Sequence, residues 1–139
     1  MKIEFSEEDV KKIIYGSFCN GGLNELANCS VQIDWDEEPN DSNYHEAKKR
    51  CKQKMEDGSI CFEDVMLEIL DSGEPIVFTD YEGEEKVELH IVTATKHLND
   101  NANLYMDLLF KVLDEDGDYD AFDCWDALQL CLYGEIIFG

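Results

Sequence analysis

Apolar positions recur along this chain with two periods, and the switches between them mark out its elements. The opening MKIEF reads as a short strand or lead-in, after which Ser6 is placed to cap a helix, with Asp9 at its third position. Glu7, Glu8 and Asp9 complement the positive end of that helix, Val10, Ile13 and Ile14 form its apolar face, and Gly16 is expected to let it stop. Asn20-Gly21-Gly22 predicts a turn into a short helix through Leu23 and Leu26. Residues 30–35 alternate Val31, Ile33 and Trp35 with Gln32 and Asp34, the pattern of a half-buried strand. A polar loop around Pro39 leads to a helix expected from about 43 to 57, capped by Asp41 or Ser42 and followed by Gly58.

Phe62, Val65, Met66, Ile69 and Leu70 then make a well-formed helical stripe, closed by Gly73. The clearest β signal follows: Ile76 and Phe78 alternate with Val77 and Thr79, residues 82–85 turn the chain, and Val87, Leu89 and Ile91 return, which predicts a hairpin. A short helix over 93–98 and a longer one over 103–113 precede the last third. There Phe122, Trp125, Leu128, Leu132 and Tyr133 are spaced as one face of a helix over about 120–133. Residues 135–138 read as a final strand. The expected fold is therefore one compact α+β domain over residues 1–139: a small, mainly antiparallel sheet of about four strands packed with four to six helices.

Charge changes this picture most. The chain has 11 Lys and Arg against 33 Asp and Glu, a net charge of −22. Yet it is 44% hydrophobic, so it can bury a core, unlike charged disordered chains. Such a charge opposes direct binding of nucleic acid, whose phosphates would repel it, and favours basic partners. The acids gather in three sets: Asp114, Glu115, Asp116, Asp118, Asp120 and Asp123; Asp34, Asp36, Glu37 and Glu38; and Glu82, Glu84 and Glu85. The third set has two open readings, protection of a sheet edge from pairing or contact with a partner. Lys48, Lys49, Arg50, Lys52 and Lys54 form a basic run best explained by the dipole of their own helix and by pairing with acids elsewhere.

Candidate chemistry adds little. The six cysteines include no CxxC pair, the three histidines are widely spaced, and most thiols are expected to be small buried hydrophobes. The glycine pair at 21–22 has no nearby basic residue and no phosphate-loop pattern. Asp114, Asp116 and Asp118 match the first ligands of a calcium loop, but Tyr119 stands where the turn glycine belongs and Trp125 where the bidentate glutamate belongs. No metal, cofactor or catalytic residue is assigned, and no membrane partner: the chain has no membrane-length apolar run and no signal-peptide pattern at its start, so a cytoplasmic protein is expected.

The segments FCNGGL, ICFEDVMLEIL and DAFDCWDALQLCLYGEIIFG resemble those of a family of small acidic proteins carried by phages and prophages of gut Bacteroidetes. The resemblance implies a setting inside an infected bacterial host and, by analogy with other acidic phage proteins, an anti-defence role such as anti-CRISPR or anti-restriction activity. The expected function is non-enzymatic inhibition of a host defence nuclease. The three acidic sets would mimic DNA or RNA against a basic host protein, the CRISPR or restriction nuclease itself. The alternatives are an acidic phage accessory or structural protein without mimicry, and a divalent-metal-binding module.

Overall fold

A computed structural model describes residues 2–54, 58–114 and 117–139. The fold is α+β. Its described elements are α1 (Glu7–Cys19), α2 (Gly22–Asn28), β1 (Val31–Ile33), α3 (Asn40–Lys54), α4 (Phe62–Asp71), β2 (Ile76–Asp80), β3 (Glu85–Leu89), α5 (Ile91–Asp100), α6 (Met106–Leu113) and α7 (Ala121–Tyr133). The strands form one antiparallel sheet in the order β1-β2-β3, with Ile33 opposite Phe78 and Phe78 opposite Val87. Because side chains alternate across a strand, Val31, Ile76, Phe78 and Leu89 are buried on one face while Gln32, Lys86 and Glu88 are exposed on the other. Helices α1 and α7 pack together at the centre, with α2, α5 and α6 around them; α7 also covers β3, α4 reaches β2, and α3 lies outside against α4.

Local signals set most of these elements. Ser6 Oγ accepts from the Asp9 N–H (3.1 Å) and Asp9 Oδ2 accepts from the Ser6 N–H (3.2 Å), so α1 opens on the expected reciprocal cap. The helix does not stop at Gly16. It runs on to Cys19, because Ser17 and Phe18 are drawn into the core. The α4 stripe buries Val65, Met66, Ile69 and Leu70 as read from its spacing, but Phe62, expected on the same stripe, is exposed at the first turn. Helix α3 starts at Asn40, earlier than expected, with Glu38 Oε1 accepting from the Ser42 N–H (3.0 Å); its expected end at 57 lies outside the described residues. Helix α5 is longer than expected, and α6 begins at Met106, not 103. The helix count rises to seven among the described residues, above the four to six expected.

The expected fourth strand is absent from the described residues: 135–138 pair with no strand. Fully buried Gln129 of α7 holds them instead. Its Oε1 accepts from the Ile137 N–H (2.9 Å) and the Phe138 N–H (2.7 Å), and its Nε2 donates to the Phe138 carbonyl (3.4 Å). One amide side chain thus satisfies backbone groups that a strand partner would otherwise satisfy. Asn99 does the same at the other end of the chain, where its Oδ1 accepts from the Phe5 N–H (2.6 Å) and its Nδ2 donates to the Phe5 carbonyl (3.0 Å). The Gln129→Leu variant keeps the volume and loses the pairing. Its expected cost is about 2 kcal/mol in urea unfolding, with faster amide exchange at Ile137 and Phe138; unchanged exchange there would show that the segment is held by other contacts.

Candidate acidic interaction surface

The described residues of the three acidic sets occupy two places. The second and third come together at one end of the sheet. Tyr81, next to the hairpin turn, donates its hydroxyl to Asp34 Oδ2 (3.5 Å), and Lys86 of β3 pairs with Glu37 (3.0 Å). Antiparallel pairing adds to the crowding, since Asp80 lies opposite both Val31 and Glu85. The result is an acidic pole containing Asp34, Asp36, Glu37, Glu38, Asp80, Glu82, Glu84 and Glu85, in which Lys86 is the basic residue.

Short polar turns hold the pole in place. Asp34 Oδ1 accepts from the Asp36 N–H (3.1 Å), and Asp80 Oδ1 accepts from the N–H groups of Glu82 and Gly83 (both 3.0 Å). A Cβ on Gly83 would lie 2.7 Å from Asp80 Oδ2, so a larger residue there would have to push the Asp80 carboxylate aside. Asp36, Glu37, Glu38, Glu82, Glu84 and Glu85 are all exposed. Burial of its ring edge and the nearby charges of Asp34 and Glu37 push the Tyr81 hydroxyl above its usual range, while the bond to Glu37 raises Lys86.

The first set lies elsewhere and is spent differently. Asp120 caps α7: its Oδ1 accepts from the Asp123 N–H (2.9 Å), and Asp123 Oδ2 accepts in return from the Asp120 N–H (3.1 Å) and pairs with Lys111 (3.3 Å). Asp114 and Asp118 are exposed, and Glu115 and Asp116 lie outside the described residues. Tyr133, at the far end of α7, feels the charges of Asp80 and Glu85. Asp120 and Asp123 therefore stand at the opposite end of α7 from Tyr133.

Asp126 of α7 is a carboxylate in the wrong place. Burial, then the charges of Asp123 and Asp120, push its pKa upward. A carboxyl with a raised folded pKa costs stability when ionised, and that cost vanishes below the ordinary carboxylate range, where folded and unfolded chains both hold the proton. Asp126→Asn is therefore expected to raise the thermal midpoint at pH 7 and leave it unchanged at pH 3. An equal effect at both pH values would point to packing as the cause.

The basic run on α3 is largely answered from within. Arg50 and Lys54 both pair with Glu68 of α4 (3.0 and 2.9 Å), and Lys49 pairs with Glu46 (3.4 Å). Acids at the start of α3 and cations towards its end also follow the helix dipole, so charge is polarised along this helix.

A groove of about 580 Å³ lies between α1 and α4, with Val112, Leu113 and Tyr119 completing its lining. Its polar groups answer one another. Lys11 Nζ bridges to Asp71 (2.5 Å) and Glu8 (2.6 Å), and these bonds, Asp71 first, raise its pKa. Tyr15 donates to Asp64 Oδ1 (3.1 Å). Burial pushes the Asp64 carboxyl up, but hydrogen bonds from the Cys61 side chain and backbone and from Tyr15 outweigh it and hold it below the usual range. These bonds fasten α1 to α4, while Lys12 and the Cys19 thiol also line the groove and are exposed.

The thiols divide evenly. Cys51, Cys124 and Cys131 are buried as expected, and burial pushes Cys131 up to about 12. Cys29 is half-buried, while Cys19 and Cys61 are exposed, so fewer thiols are buried than expected. Phe122 likewise departs from the reading of α7: it is exposed, and Trp125 is half-buried. Among the described residues no group of three or more His, Cys, Asp or Glu side chains is gathered to hold a metal ion, and no helix is long and apolar enough to cross a membrane. Comparison of the chain with protein-family models, with curated proteins and with solved structures gives no match, so the functional argument starts from the acidic pole itself.

Proposed function

We propose that this protein binds, without catalysis, a cationic nucleic-acid-binding surface of a partner protein and blocks it. In the phage setting that the sequence resemblance implies, the partner is a host defence nuclease of the CRISPR or restriction type. The observation that carries this reading is the merging of two sequence-distant acidic sets around Tyr81, on turns fixed by their own hydrogen bonds. Carboxylates held in this way lose little freedom on binding, and their field steers a basic groove towards them. Duplex DNA offers such grooves one charge per about 1.7 Å of axis, and a compact acidic relief competes for the same lysines and arginines. Exposed Asp114 and Asp118 of the first set add to the negative surface, while Asp120 and Asp123 serve the helix cap first.

The test is competition. Host proteins retained on the immobilised protein at low salt are eluted with sodium chloride or with duplex DNA. The expected eluate is a basic nuclease that either agent releases. Against that nuclease, the combined variant Asp36→Asn, Glu37→Gln, Glu82→Gln, Glu84→Gln is expected to lose roughly 100-fold in affinity, mostly in association rate. Binding that ignores salt, DNA and these substitutions would instead support an acidic accessory protein. The observation favouring that second reading is that Asp9, Glu38, Asp64, Asp120 and Asp123 already serve the fold as caps.

A further inference from the structure

Beside the acidic pole, between α2 and the outer edge of the sheet, lies a pocket of about 270 Å³. Leu23 and Ala27 of α2 form one wall, Ile33 of β1 the other, and Trp35 and Phe62 stand with them. The lining is apolar apart from Gln32, and the volume is below that of sites for drug-sized ligands. Trp35 and Phe62 meet edge to face with centroids 5.3 Å apart, and Tyr44 packs on Trp35 at 5.2 Å, so these walls are braced. Phe62 is 39% exposed, so part of its ring is open to solvent at the pocket.

The surroundings of this pocket carry one sign of charge. Asp34 and Asp36 flank Trp35 in the chain, and Glu63 follows Phe62, whereas no lining residue and no chain neighbour of one is basic. An apolar recess with an acidic border has the anatomy of an interface hot spot, in which a desolvated anchor is ringed by polar contacts. We propose that this pocket is the anchor point of the acidic pole, and that its occupant is an apolar side chain presented by a cationic segment of the partner protein. This inference rests on the acidic-pole reading and adds to it the source of short-range affinity. The charges bring the partner in and set its orientation; burial of the anchor slows its departure.

The experiment uses the full chain and two synthetic peptides, one of lysines with a single central leucine, the other its twin with central alanine. Binding is followed by NMR through the indole N–H of Trp35, with Trp125 as the internal control. The leucine peptide is expected to bind about tenfold more tightly than its twin and to move the Trp35 signal. Both peptides should weaken as salt is added. Ala27→Leu fills the pocket from the α2 side and is expected to abolish the preference while leaving salt-dependent binding of both peptides. Equal affinity of the twins for the unmodified protein, or a preference that survives Ala27→Leu, would overturn the anchor pocket and leave the acidic pole standing. Failure of both peptides to bind at low salt would remove the anchor pocket and the acidic pole together.

Discussion

Replacing Asn40 with alanine is expected to lower the unfolding free energy by about 3 kcal/mol. Asn40 is only 3% exposed and opens α3. Its Nδ2 donates to the carbonyls of Val77 (2.8 Å) and Asp34 (3.0 Å), and its Oδ1 accepts from the Val77 N–H (2.8 Å). Strand β1 ends at Ile33, opposite Phe78, so Val77 is the next position of β2 to lack a partner. The Asn40 amide takes that place and so continues the sheet by one rung. Alanine leaves a buried N–H and two carbonyls to find water, and each orphaned group costs about 1 kcal/mol or more. Urea unfolding measures the loss. Asn40→Asp is the sharper variant, because it keeps the acceptor, removes both donations and buries a charge. Since the same bond fixes the Asp34 carbonyl, either change should also loosen the acidic pole and weaken binding of a basic partner beyond what the lost stability explains. A cost below about 1 kcal/mol would mean that water replaces the amide freely.

A second large effect is expected at Gly22, the first residue of α2. A Cβ there would stand 2.7 Å from Leu128 Cδ1, 2.8 Å from the Ser17 carbonyl oxygen and 3.2 Å from the Cys124 carbonyl carbon. Two of these neighbours are backbone atoms of α1 and α7, the central pair, and they cannot turn aside. Gly22→Ala should therefore cost about 3 kcal/mol, at the upper end of core overpacking. Gly73→Ala is the control: its φ of 84° favours glycine, but an added Cβ meets nothing within 4 Å, so its cost should stay near 1 kcal/mol. If the two substitutions cost the same, the close approach of α2 to α7 is softer than its distances imply. The glycine pair thus has a packing purpose, consistent with the lack of any phosphate-loop pattern around it.

The sequence reveals what depends on near neighbours and conceals what depends on distant ones. The α4 stripe, the Ser6 cap and the 76–89 hairpin are each encoded within a few residues, and each appears close to where its spacing places it, though Ile91 opens α5 instead of extending the return strand and Phe62 of the stripe is exposed. The last segment misleads because Ile136, Ile137 and Phe138 have strand composition, while the group that claims their backbone is a glutamine in the preceding helix. An amide in a helix announces nothing about the chain it will bind. The acids show a similar limit. Their number and grouping are plain in the sequence, but Asp120 and Asp123 are next to each other in function as caps, and the meeting of Asp34 with Tyr81 needs the sheet register to become visible. The apolar pocket beside the pole was hidden for the same reason, since Leu23, Ile33 and Phe62 belong to three separate elements.

The three carboxamides of Asn40, Asn99 and Gln129 carry one further consequence, for the ageing of the molecule. Deamidation adds water, releases ammonia and turns a group that both donates and accepts into one that only accepts. At Asn99 the new oxygen would face the Phe5 carbonyl, and at Asn40 those of Val77 and Asp34, with one more negative charge in a chain already at −22. Hydrolysis of any of these amides would thus open the fold along these seams while the aliphatic interior still holds.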